Sequence, residues 1–177
     1  MKSVITLFSI SILLLPIIYL IFGIGFFFVY ILIWTDKLII GIFKPFRYLG
    51  IELTSLASVL AAILYGPLIA FILILFLFTF LQSLRYLIFP MSESKTLPFV
   101  PNKDSVIYAL GGLIAGFMIS FSFDIIILTV VATKHLIYTG LGIISKRFDP
   151  IVGLIGGMLF YIIVMIPFGL QLMEILV

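Results

Sequence analysis

The sequence predicts an all-α, polytopic membrane helix bundle: six transmembrane helices and a short interfacial amphipathic helix after the first. Three observations predict it. Of 177 residues, 64% are hydrophobic and only 10% charged, against about 45–50% and about 25% in soluble domains. Mean hydropathy is +1.46. The charges fall between long charge-free runs, and about 20 apolar residues carry one helix across about 30 Å of hydrocarbon. A soluble monomer and a disordered chain are excluded. No polar stretch is long enough for a second domain.

The first charge-free run, Ser3 to Thr35, predicts one long tilted helix over about 5–33. Pro16, Gly23 and Gly25 are the positions where it can bend. Over 35–49, Asp36, Lys37, Lys44 and Arg47 cluster on one side of a helical wheel. Leu38, Ile39, Ile42, Phe43, Phe46 and Leu49 take the other side. This is the pattern of a helix lying on the inner leaflet, with Lys37, Lys44 and Arg47 at the lipid headgroups.

The run Leu53 to Leu84 with its flanks is too long for one span. Tyr65-Gly66-Pro67 punctuates it as a tight turn, giving spans at 50–65 and 67–88. After the loop Pro90–Asp104, spans follow at 104–121 and 125–144, with Ser122-Phe123-Asp124 at the corner. One long helix over 105–133 is the five-span alternative. The last span, 150–173, starts with Asp149 as N-cap and Pro150 at the first helical position.

Lys and Arg assign the sides. Lys37, Lys44, Arg47, Arg85, Lys95, Lys103, Lys146 and Arg147 all fall on one side, eight of the 10 basic residues. That side is expected to be cytoplasmic and both termini outside, with Lys2 the outlier. Lys146 and Arg147 are further headgroup candidates. The expected location is a prokaryotic cytoplasmic membrane.

The chemistry is sparse. With no Cys and one His, thiol chemistry and multi-histidine metal sites are excluded within one chain. No cofactor, metal or nucleic-acid partner is expected, and no Walker, HExxH or GxSxG signature is present. Lys134-His135 stand out, because ionisable groups at membrane depth are costly and line bundle interiors or solute paths. Lys134 shares a helical face with Tyr138, and Thr129 shares one with Thr133. With Asp124 these make the solute or ion-path candidates: Lys134, His135, Asp124, Thr133 and Tyr138. The alternative for Lys134 is snorkelling to an interface. Glu52 complements a helix dipole, or pairs with Arg47, Lys103 or Arg147. Gly112/Gly116 and Gly153/Gly157 have GxxxG spacing, which brings helices close, within the chain or in a homo-oligomer.

Ile51–Phe71 (IELTSLASVLAAILYGPLIAF) resembles the second and third helices of the substrate-binding subunits of energy-coupling-factor vitamin transporters. The resemblance implies a compact six-helix membrane protein with a role in transport. It covers about an eighth of the chain. In that family both termini are cytoplasmic, opposite to the charge count here, and its small-residue motif in the first helix has no match beyond Gly23 and Gly25. The expectation is a small-solute binding or transport protein, or a transporter's membrane subunit. A non-catalytic scaffold and a lipid-modifying enzyme using Asp104, Asp149, Lys103, Lys146 and Arg147 are the alternatives.

Overall fold

The computed structural model describes residues 2–43, 45–46, 49–88, 99–140 and 150–176. Lys44, Arg47, Lys95, Lys146, Arg147 and Asp149 lie outside the described residues. The described elements are helical throughout: α1 (Lys2–Leu38), a 3-10 turn (Ile40–Ile42), α2 (Thr54–Tyr65), α3 (Pro67–Ile88), α4 (Lys103–Phe117), α5 (Phe123–Gly140), α6 (Pro150–Phe160), a π turn (Tyr161–Met165) and α7 (Ile166–Leu176). Among the described residues, four stretches are long and apolar enough, by length and composition, to cross a membrane: Ser9–Leu38, Pro67–Ile88, Phe123–Gly140 and Val152–Leu176. Large apolar side chains such as Leu20, Leu68, Phe117 and Ile163 stand exposed around them, as a hydrocarbon environment requires.

The first run is not one tilted helix. Gly23 has φ 79° and ψ 178°, and the chain reverses there. The Ser11 hydroxyl accepts from Trp34 Nε1 at 3.0 Å, and the Ser11 carbonyl accepts from the Tyr30 hydroxyl at 3.3 Å. A straight helix would hold residues 11 and 34 about 35 Å apart at about 1.5 Å per residue. Tyr19 and Phe27 also meet edge to face at 5.7 Å. α1 is therefore a helical hairpin, turned at the one residue type that adopts this φ without strain. Its tip sits against the C-terminal end of α2, where a Cβ on Gly25 would lie 2.9 Å from the Tyr65 hydroxyl. The hairpin corrects the expected topology. The N-terminus begins at the same end as Lys37, so Lys2 joins the other basic residues and the two termini lie at opposite ends.

α2 is the central element. Every residue from Thr54 to Ala62 is buried, and α1, α3, α4 and α5 all pack on it. Its small residues Ser55, Ala57, Ser58, Ala61 and Ala62 admit those neighbours. α2 has 12 residues, about 18 Å at about 1.5 Å per residue. It fills little more than half of a hydrocarbon layer about 30 Å thick. The span expected over 50–65 begins four residues late, at Thr54, and the loop before it turns at Gly50, φ 68°. There a Cβ would lie 2.3 Å from the Gly153 carbonyl, so only glycine lets this loop cross α6.

The remaining differences have local causes. The segment 35–49 is not one amphipathic helix: α1 runs on to Leu38, the 3-10 turn follows, and Phe43 is extended. The span expected over 104–121 ends at Phe117, where Met118–Phe121 turn the chain. The last helix continues past 173 to Leu176. It widens into the π turn just before Pro167, whose ring lacks an N–H and crowds the carbonyl four residues back. The glycine pairs meet different neighbours rather than each other. A Cβ on Gly112 would meet Ala70 and one on Gly116 Pro67, so α4 seats on α3, while Gly153, Gly156 and Gly157 receive the Leu49–Gly50 loop.

Candidate functional site

Where α2 stops short, polar side chains gather. A cavity of about 270 Å³ at this end is lined by Asp36, Lys37, Glu52, Arg85, Asp104, Lys134, His135 and Tyr138, with Gln82, Phe78 and Tyr108. These come from the C-terminal ends of α1, α3 and α5, the N-terminal turn of α4 and the segment before α2. On the far side the buried residues of α2, α3 and α5 are apolar: Val59, Leu60, Ala61, Ala62, Ala70, Ile74, Ile126, Ile127 and Val131. The cavity is a one-ended depression over a packed core.

Two carboxylates close the N-terminus of α2. Asp36 accepts from Leu53 N at 3.2 Å and from the Thr54 hydroxyl, and pairs with Lys37 Nζ at 2.5 Å. Glu52 accepts from Ser55 N at 3.2 Å and from the Ser55 hydroxyl. Negative charge at the first turn complements the helix dipole and satisfies N–H groups that have no partner within the helix.

Glu52 also holds Lys134. The Lys134 Nζ to Glu52 Oε1 distance is 2.6 Å, with the side chains 6% and 9% exposed. The Tyr161 hydroxyl donates to the Glu52 carbonyl at 2.8 Å and to Oε1 at 3.2 Å. Tyr161 opens the π turn, so the helix distortion falls where its ring meets Glu52. Lys134 Nζ lies 5.5 Å from the centre of the Tyr108 ring, and Lys37 Nζ lies 4.2 Å from Phe78 and 4.9 Å from Tyr108. Both ammonium groups are thus held between a carboxylate and an aromatic face.

His135 differs from its neighbours. It is 7% exposed and lines the cavity, yet neither Nδ1 nor Nε2 finds a hydrogen-bond partner among the described residues. Buried polar atoms are nearly always satisfied, which sets this ring apart from the paired groups around it. Gly157 permits its position, since a Cβ there would lie 3.3 Å from Nε2.

Of the sequence candidates, Lys134, His135 and Tyr138 come together in the cavity, and Tyr138 donates to Asp104 Oδ1 at 2.9 Å. Asp124 does not join them: it is exposed at the opposite end of α5, about 15 Å of helix from Lys134. Thr133 faces a small crevice with Ser55 and Gly111 instead. Lys37 pairs with Asp36 and lines the cavity. Glu52 pairs with Lys134 and not, among the described residues, with Lys103, while its other expected partners, Arg47 and Arg147, lie outside the described residues. Asp36, Gln82 and Arg85 were hidden at the ends of apolar runs, where a charge reads as a flank. Among the described residues no three His, Asp or Glu converge as metal ligands.

Comparison of the chain with protein-family models, curated proteins and solved structures gives no match. The four apolar helices are compatible with a membrane protein, and the cavity chemistry carries the functional reading.

Proposed function

We propose that this is an integral membrane protein that binds a small polar solute in the cavity, as a binding protein or as the membrane subunit of a transporter. The observation that carries the reading is His135, buried with both ring nitrogens unpartnered in a cavity lined by charged side chains. Polar groups in a membrane bundle are costly and persist where they serve a site. Binding fits better than conduction, because the core beyond the cavity is apolar and packed. The scaffold alternative drew on the GxxxG faces, and these are occupied within the chain by Ala70, Pro67 and the Leu49–Gly50 loop.

The test is to purify the protein in a mild detergent, heat it, and identify released small molecules by mass spectrometry. The wild type is expected to release a solute that is depleted at least tenfold in His135→Leu. Identical released profiles from the two folded proteins would contradict the reading.

A further inference from the structure

Resting on that reading, we propose that the ligand is a small zwitterion, with an oxyanion group toward Lys37, Lys134 and His135 and an ammonium group toward Asp104. The first argument is charge. The described lining carries three carboxylates, Asp36, Glu52 and Asp104, and three cations, Lys37, Arg85 and Lys134. Their formal charges cancel, so a ligand with net charge would add an uncompensated charge to a poorly solvated site.

The second argument is hydrogen-bonding capacity. Asp36 and Glu52 are filled by the α2 N-terminus, by Tyr161 and by the two lysines. Each ammonium carries three donors and no acceptor, and each meets one carboxylate here. Lys37 and Lys134 therefore keep hydrogens for an incoming oxygen. A neutral imidazole adds one donor and one acceptor, and both His135 nitrogens are unused. Asp104 provides the opposite pole. Its Oδ1 accepts from Tyr138, and its second oxygen accepts no hydrogen bond among the described residues. Spare donors and a spare carboxylate oxygen in one net-neutral cavity of about 270 Å³ match a molecule of amino-acid size. The same chemistry occurs in the headgroup of an aminophospholipid.

The full chain in phosphatidylglycerol nanodiscs, a background without zwitterions, tests this by thermal unfolding. Three sets of probes are added: each of the common L-amino acids, their N-acetyl and methyl-ester derivatives, and phosphatidylethanolamine in the nanodisc lipid. The proposal expects at least one zwitterion to raise the midpoint by several degrees and both blocked derivatives of it to fail. It expects Asp104→Asn and His135→Leu to lose the response, and His135→Gln, which keeps hydrogen-bonding atoms, to retain part of it. A response to phosphatidylethanolamine alone supports the same chemistry with the membrane as source. An N-acetyl or ester derivative that works as well as the zwitterion, with loss in His135→Leu, overturns the zwitterion while leaving solute binding standing. No response to any probe overturns the zwitterion and leaves solute binding to the release experiment, whereas a response unchanged in His135→Leu overturns both.

Discussion

Glu52 and Lys134 are joined across 82 positions of sequence, and both are buried. Removing one partner of such a pair leaves an uncompensated charge and costs about 3–5 kcal/mol, whereas replacing both costs far less. Glu52→Gln and Lys134→Met are each expected to lower stability by that amount in denaturant unfolding from mixed micelles. The double variant is expected to recover at least half of the summed loss. Additive losses would show that the two side chains do not share one interaction. Lys134 and His135 were legible in the sequence because an ionisable pair inside an apolar run has few explanations. Glu52's partner was not, since pairing across the chain depends on how α2 and α5 pack. Asp36 and Arg85 were equally hidden, because a charge at a helix end fits the membrane boundary as well as a cavity.

The hairpin in α1 is the element that the sequence least discloses. It turns without a polar residue, so the charge-free run reads as one long helix and only Gly23 and Gly25 mark the place. Two consequences follow. Gly23→Ala forces a side chain into φ 79°, a conformation that costs about 1–2 kcal/mol, and is expected to lower the unfolding midpoint measurably. Ser11→Ala removes the acceptor of Trp34 Nε1; interhelical hydrogen bonds in membranes are worth about 0.6 kcal/mol on average. Trp34 is the one tryptophan in the chain, so its emission reports this contact directly, and a shifted maximum is expected in Ser11→Ala. An unchanged spectrum would mean that the two arms of α1 are not paired in the membrane. The Tyr65-Gly66-Pro67 turn was legible, by contrast, because glycine and proline together leave few other conformations.

At the scale of the molecule, the hairpin brings Lys2 to the end that holds Lys37, Arg85 and Lys103. Apart from Lys134 within α5, every basic residue whose end the described helices fix then lies at that end. On the proposed reading, the positive-inside rule puts the cavity and the start of α1 toward the cytoplasm and the end of α7 opposite. The polytopic helical class was legible from hydropathy alone. The cavity was not, because it arises from a central helix of only 12 residues and from a loop that crosses α6 at Gly50 and Gly153. The absence of native cysteine allows one measurement to test the one-ended polar cavity directly. Tyr138→Cys in the cavity, Val131→Cys in the packed core and Ser122→Cys at the opposite end are each exposed to a membrane-impermeant thiol reagent in sealed vesicles of both orientations. The account predicts that Tyr138→Cys reacts only in inside-out vesicles, Ser122→Cys only in right-side-out vesicles, and Val131→Cys in neither. Reaction of Tyr138→Cys from both sides, or from neither, would contradict a water-accessible cavity closed toward the far end of the bundle.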